Sequence, residues 1–181
     1  MYDELKWKVL SEEKILHTAI YDVYSLDEVS ARGDRGCYVA IDAPEWVVII
    51  AEHDGNFVLV RQWRHGEGRV NLEFPGGVAE PDEEPIHAAE RELLEETGFK
   101  AGRLTCIGSM SPNPALFKNH FHVFLAEDLT QTGSLNLDSD EILKFEELPK
   151  EDVFRRFGDS ELTNAFMGTA LAFYIRAKGV I

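Results

Sequence analysis

Residues 7 to 42 mix polar and β-favouring positions. Ile20, Tyr21, Val23 and Tyr24 come first, then the run 37 to 41, with Gly33-Asp34-Arg35-Gly36 between them as a turn. This predicts an N-terminal hairpin-like unit of two or three strands. Residues 46 to 51 are continuously apolar, as in a buried strand, and His53-Asp54-Gly55-Asn56 turns the chain into a return strand at 57 to 60. A short strand is expected at 69 to 74, before Pro75-Gly76-Gly77 breaks regularity. The period then becomes helical over 84 to 97. Pro85 suits the first turn, Ile86, Ala89 and Leu93 form an apolar stripe, and Gly98 is a stop. Strands follow at 104 to 110 and 120 to 125, separated by the stiff loop Ser111-Pro112-Asn113-Pro114. An acidic loop, Asp138-Ser139-Asp140-Glu141, precedes a short strand at 142 to 145. Helices at 150 to 157 and 161 to 178 close the chain, the second with Ser160 as N-cap and Gly179 as stop. Many strands with few helices point to an α+β fold, a mixed sheet with helices packed on it.

Length and composition narrow the function classes. The 181 residues fit one domain with a modest extension, and a hydrophobic fraction of 44% fills a core. Eighteen basic residues against 33 acidic ones give a net charge of −15, which disfavours nucleic acid as a large partner. Plain solubility accounts for most of these carboxylates. Cys37 and Cys106 form no CxxC, so a zinc site or disulfide framework is not expected and a reducing compartment fits. No apolar run reaches the ~18–20 residues of a membrane span, and the charged N-terminus is not a signal peptide. The expected location is the cytoplasm, with no membrane partner.

The chemistry concentrates in residues 77 to 99. Glu92, Glu95 and Glu96 lie three and four apart and so share roughly one helix face. Like charges at this spacing destabilise a helix by a few tenths of a kcal/mol per pair. Arg91 offsets part of this through an i,i+4 pair with Glu95. A solvated acidic face is the bland reading of such a run. A hard divalent cation held by carboxylate oxygens is the functional one.

The surrounding order decides between them. Gly77, Glu83, Arg91-Glu92, Leu93, Glu95-Glu96, Gly98 and Phe99 fill every fixed position of the Nudix box, so the chain resembles the Nudix hydrolases. The resemblance implies an α/β/α sandwich with a mixed β-sheet, and cleavage of a pyrophosphate bond with Mg²⁺, or Mn²⁺ in its place. It implies Glu92 and Glu96 as metal ligands, Glu95 as a ligand or an aid to water activation, and the Gly76 carbonyl as a further ligand. Arg91 and Glu83 are implied to hold the helix and loop in place, with Arg91 part of the catalytic set. Gly77 and Gly98 are implied as backbone requirements.

The resemblance extends over most of the chain. Val58-Leu59-Val60-Arg61-Gln62-Trp63-Arg64-His65, followed by Glu73-Phe74-Pro75-Gly76-Gly77, is similar to ADP-ribose pyrophosphatases and related nucleoside diphosphate sugar hydrolases, as is Pro114 standing 16 residues after Gly98. That group implies a homodimer through an N-terminal β-extension, here residues 1–42, beside a catalytic domain at 43–181. It also implies a loop carboxylate near the metals, for which Glu141 is preferred over Asp140 and Asp138. An ordinary solvated turn is the other reading of that loop. Arg61 and Arg64 are candidate diphosphate contacts, with structural ion pairs as the alternative. Trp46 either stacks on a nucleobase or, more in keeping with its strand, fills the core. Pro75-Gly76-Gly77 and Trp46 depart from the pattern of that group and leave the substrate open. His120 and His122 alternate on a predicted strand and would share a face, more in keeping with structural histidines. A nucleoside triphosphatase or dinucleoside polyphosphate hydrolase is the next alternative. A non-catalytic nucleotide sensor would be expected to have lost box glutamates, and all are present.

Overall fold

The computed structural model describes residues 2–133, 142–159 and 161–179. The chain divides into two compact units, Met1–Pro44 with Ser111–His120, and Glu45–Met110 with Phe121–Ile181. The first division falls two residues past the expected 42, but the loop after Met110 belongs to the N-terminal unit, where sequence had placed it in the catalytic domain.

The N-terminal unit is an antiparallel meander of β1 (Trp7–His17), β2 (Asp22–Ser30) and β3 (Arg35–Asp42). Gly33, at φ 92°, takes the left-handed position of the β2–β3 turn. The Ser111–His120 segment docks on β3, where Ile41 N donates to Leu116 O at 2.7 Å and Lys118 N to Ile41 O at 2.9 Å. All 11 residues of β1 are exposed, Trp7, Val9, Leu10, Ile15 and Leu16 among them.

The larger unit is built on a mixed sheet ordered β11-β5-β4-β9-β8, with β6 on β5. Its strands are β4 (Trp46–His53), β5 (Asn56–Arg64), β6 (Arg69–Glu73), β8 (Arg103–Met110), β9 (Phe121–Glu127) and β11 (Leu143–Pro149). A two-stranded ribbon pairs β7 (Phe99–Lys100) with β10 (Thr130–Gln131). Asp54 and Gly55 both have positive φ, the backbone a two-residue turn needs to match strand twist, and they close the β4–β5 hairpin. Among the strands of the described residues, β4 and β9 are the pair that runs parallel. Side chains alternate across β4. Val48 and Ile50 face a core closed by α2 (Lys150–Arg156) and α3 (Ala165–Ala177), through Val153, Met167, Ala170 and Leu171. Val47, Ile49 and Ala51 face α1 (Pro85–Thr97), through Ala88, Ala89 and Leu93. A two-faced apolar strand demands a helical layer on each side, which is the expected α/β/α arrangement.

One departure from regular pairing creates the site. β5 hydrogen-bonds β4 only at the hairpin end, from Ala51 to His53, and then turns to pair with β6. The vacated edge of β4 is taken by the chain after β6: Ile49 N donates to Pro75 O at 2.8 Å, Val47 N to Gly77 O at 2.9 Å and Ala79 N to Glu45 O at 2.9 Å. The sheet therefore splays between β4 and β5.

Several sequence expectations shift. α3 starts at Ala165, not 161, because the carbonyl of Glu161 accepts from Leu72 N and the side chain of Asn164 caps the helix through Phe166 N. Asn164 therefore takes the capping role, while Ser160 lies outside the described residues. β9 begins at Phe121, so His120 precedes the strand and does not share its face with His122. Ile86 is exposed, and the buried face of α1 is Ala88, Ala89, Glu92, Leu93, Glu96 and Thr97. β5 and β11 both run longer than their apolar stretches, because each continues the ladder with polar residues.

Candidate active site

Helix α1 begins on Pro85, with Glu84 extended before it, and stops at Gly98, whose φ of 71° ends the helical turn. Burial of its Ala89–Leu93 face carries Glu92 and Glu96 inward as well, since 89, 92, 93 and 96 repeat at helical spacing. The two glutamates are only 8% and 2% exposed. Buried carboxylates are costly unless bonded or paired with a cation. Glu96 Oε2 accepts from Gly76 N at 2.9 Å, and Glu92 Oε1 from Arg91 at 2.9 Å.

Arg91 is the hub of this cluster. Its Nε and Nη2 clamp Glu83 at 3.1 and 3.0 Å, Nη1 is shared by Glu92 and Glu95, and Nη2 also reaches Val78 O at 3.0 Å. The Glu83 hydrogen bonds, then its other carboxylates, push the Arg91 pKa further up, and Arg91 in turn holds Glu83 below the usual carboxylate range. Glu83 also accepts from Glu80 N at 2.9 Å, so the loop entering α1 is tied to the helix. The three glutamates do not share one environment: Glu95 is partly exposed, while Glu92 and Glu96 are buried. Among the described residues, no three His, Cys, Asp or Glu side chains form a ready cluster for a metal ion.

Gly76 and Gly77 bring the backbone against this face. A Cβ on Gly76 would lie 2.2 Å from Val47 O, and one on Gly77 would lie 2.3 Å from Glu92 Oε1. Both glycines also line a cavity of about 700 Å³ in the splay between β4 and β5, walled by Trp46, Trp63, Arg64, Asn71, Glu73 and Phe166, with the start of α3 on one side. Trp46 is half-buried and stands against Phe166 with ring centroids 5.4 Å apart, so its strand position and its cavity wall coexist.

The two candidate arginines part company. Arg64 lines the cavity and makes a two-pronged pair with the buried Glu73, at 3.0 and 2.7 Å. Arg61 lies outside the cavity lining, bonded to Glu161 at 2.7 Å and Glu146 at 2.6 Å. Those bonds, that of Glu161 first, push its pKa up, which is the structural ion pair of the sequence alternatives. His122 is bonded to Glu45 at 2.7 Å, also a structural pairing. Asp138, Asp140 and Glu141 lie outside the described residues.

Asn71, Glu73 and Asn164 were missed as cavity residues. The signal was present: in Arg69-Val70-Asn71-Leu72-Glu73 the polar residues alternate with apolar ones, which puts all three polar side chains on one strand face. Asn164 joins them by donating to Glu73 Oε2 at 2.7 Å.

Comparison with known proteins agrees with this geometry. The family model for the NUDIX domain matches residues 43–166. The chain is 32% identical over 171 residues to an ADP-ribose pyrophosphatase of Bacillus subtilis, covering 93% of this chain and 92% of that one. It is 26% identical over 187 residues to a GDP-mannose pyrophosphatase of Klebsiella pneumoniae, covering 98% and 92%. A crystal structure of an ADP compounds hydrolase superposes with a TM-score of 0.85 at 28% identity, covering 97% of each chain. With its box on α1 and its glycines against the cavity, the chain belongs to the Nudix family.

Proposed function

We propose that this protein hydrolyses the pyrophosphate bond of ADP-ribose or another nucleoside diphosphate sugar, giving a nucleoside monophosphate and a sugar phosphate. The observation that carries the reading is the placement of Gly76 and Gly77 between the cavity and the Nudix helix: they line the cavity and pack directly on Glu96 and Glu92, although no described residue of α1 itself is in the cavity wall. The names of the relatives, acting on ADP-ribose, ADP compounds and GDP-mannose, support the substrate class.

Nudix hydrolases generally use divalent metal ions. The donor set here fits a hard cation, since Glu92 and Glu96 are both buried carboxylates whose burial cost a positive charge would lower. We assign Glu92 and Glu96, Glu95 and the Gly76 carbonyl to hold Mg²⁺, or Mn²⁺ in its place. The carbonyls of Pro75 and Gly77 point to β4, so by strand alternation that of Gly76 points to the other side, where Gly76 N meets Glu96. When bound, such ions neutralise the diphosphate and lower the pKa of a bound water. Arg91 positions Glu92 and Glu95, and we assign Glu95, more exposed than Glu92 and Glu96, to accept a proton. Glu141 remains a proposed base on the strength of the family resemblance. Arg64 is assigned to the substrate diphosphate and Trp46 to the nucleobase, with Phe166 behind its ring.

The N-terminal unit is proposed as a dimerisation element. An 11-residue exposed edge strand with Trp7, Val9, Leu10, Ile15 and Leu16 uncovered is an open pairing surface. Light scattering at micromolar concentration tests it, and a monomer would end it. Free, exposed Cys37 and Cys106 support a reducing, cytoplasmic setting, and no helix among the described residues is long and apolar enough to cross a membrane.

The deciding experiment is a panel with Mg²⁺: ADP-ribose, ADP-glucose, GDP-mannose, UDP-glucose, NADH, diadenosine polyphosphates and nucleoside triphosphates, with released phosphate measured after phosphatase treatment. Preference for a diphosphate sugar is expected. Preference for triphosphates or dinucleoside polyphosphates would overturn the substrate class, and silence would overturn the catalytic reading.

A further inference from the structure

Glu73 is a buried carboxylate in the cavity wall, and the two side chains bonded to it, Arg64 and Asn164, line the same cavity. Arg64 meets it with two nitrogens, Nε on Oε1 at 3.0 Å and Nη2 on Oε2 at 2.7 Å. Asn164 Nδ2 donates to the second of those oxygens, also at 2.7 Å. Oε2 therefore takes two donors, one from β5 and one from the residue that precedes α3. The amide of Asn164 cannot be turned over, because its Oδ1 caps α3 by accepting from Phe166 N at 2.8 Å.

The consequence is a fixed plane. A guanidinium in a two-pronged pair is held in line with its carboxylate. That carboxylate, however, turns about its last side-chain bond, a torsion with broad minima. A third donor, anchored outside the pair, removes this freedom. The backbone beneath is already held, since Glu73 pairs with Val60 in the β5–β6 ladder and Leu72 N donates to Glu161 O at 2.9 Å. The side-chain torsions are what Asn164 adds to this. Within the trio Arg64 carries the positive charge, and its side chain is 42% exposed where that of Glu73 is 4%. An anion entering the cavity meets the arginine, and the orientation of the arginine is set from behind.

We propose that Asn164 is a positioning residue for substrate binding: through Glu73 it holds the Arg64 guanidinium at the angle that receives the diphosphate. The inference rests on the nucleotide-hydrolase reading and on Arg64 as a diphosphate contact. A contact already made in the ground state shows its loss in KM more than in kcat. Any Asn164 variant also has a second route to the cavity. Asn164 caps the turn that carries Phe166, whose ring centroid stands 5.4 Å from that of Trp46. Only the first route passes through Arg64.

A double-mutant cycle separates the two routes. Asn164→Ser keeps a capping oxygen for Phe166 N and removes the donor to Glu73. It is combined with Arg64→Ala, and each protein is measured for KM and kcat on ADP-ribose with Mg²⁺ and, by calorimetry, for the Kd of ADP-ribose in chelator. Beside Arg64, Asn164→Ser is expected to raise KM and Kd by about three- to tenfold, with kcat within about twofold. In the Arg64→Ala background the same change is expected to move KM and Kd by less than about twofold. Should Asn164→Ser fold poorly, Asn164→Asp carries the same cycle, since it keeps size and cap and turns the donor into an acceptor. An equal rise in both backgrounds places the effect at the start of α3 and overturns the proposal. So does an unchanged KM and Kd in either single variant. If ADP-ribose is bound but not hydrolysed, the catalytic reading fails and the Kd cycle alone decides this one. If ADP-ribose is hydrolysed and the cycle shows no coupling, the reverse holds. Neither binding nor hydrolysis overturns both.

Discussion

A Cβ on Gly77 would stand 2.3 Å from Oε1 of Glu92, inside the van der Waals envelope of that carboxylate. The box glycine and the box glutamate are therefore one packing unit, although 15 residues separate them in sequence. Gly77→Ala must either push Glu92 aside or lift the Pro75–Ala79 segment from the edge of β4. Displacement of a site group by ~1 Å costs about 10²-fold in rate. We expect kcat to fall by that order, with a lower Tm. Unchanged kcat would show that the position of Glu92 does not matter for turnover.

Glu96→Gln separates charge from architecture. Glutamine keeps an oxygen for Gly76 N, which now bonds Glu96 at 2.9 Å, so the loop stays docked. What it removes is a negative charge on a side chain only 2% exposed. Without a cation that charge is a burden, so Tm in chelator is expected to hold or rise. With Mg²⁺ the wild type is stabilised by mass action and the variant much less. Turnover falls by at least ~10²-fold, since charge stabilisation of several kcal/mol is lost. Near-normal turnover with Mg²⁺ would defeat the assigned metal site.

Much of this was legible because local chemistry and tertiary packing agree. The Nudix box is written in consecutive residues, and the two-faced apolar run at 46–51 announces a central strand with layers on both sides. The cavity was less legible, since it arises from the splay of β5 away from β4, a long-range event set by which edge Pro75–Ala79 occupies. Arg61 and Arg64 were both candidate diphosphate contacts, though three residues apart on one strand they fall on opposite faces. Their fates differ because Glu161 and Glu146 meet one and Glu73 the other, partners no local pattern names. The start of α3 was misplaced for a similar reason: the Glu161 carbonyl is drawn into a bond with Leu72 N, and the cap is Asn164, not the expected Ser160.

Arg64→Ala tests the diphosphate assignment against the ion pair. Removing the guanidinium leaves Glu73, 4% exposed, with Asn164 as its remaining side-chain donor among those described. The expected destabilisation is about 1–2 kcal/mol, below that of a fully buried pair because Arg64 is 42% exposed. If Arg64 also binds the ground-state diphosphate, KM rises more than kcat falls. Arg64→Lys keeps the charge but loses the two-pronged geometry, so it should recover only part of either effect. A kcat loss with unchanged KM would move the arginine's contact into the transition state. An effect on Tm alone would leave it a purely structural partner of Glu73.

Glu52 is one of the carboxylates of the larger unit, with Glu67, Glu83 and Glu161, whose pairing is lost in acid. Burial alone would raise its pKa, but hydrogen bonds from Lys150, Lys178 and Tyr174 outweigh that and hold it below the ordinary 4.5. A carboxyl whose folded pKa is depressed contributes stability that is fully present above its unfolded value. That contribution is lost as pH falls through the folded one. With its side chain 13% exposed, Glu52→Gln is expected to cost about 1–3 kcal/mol at pH 7, because two lysines lose a charged acceptor. The gap between wild type and variant should stay constant above about pH 5.5 and narrow steadily below 4.5. Urea unfolding at a series of pH values measures it directly. A gap that persists unchanged into the acid range would mean that the charge on Glu52 contributes nothing and that only the shape of its side chain matters.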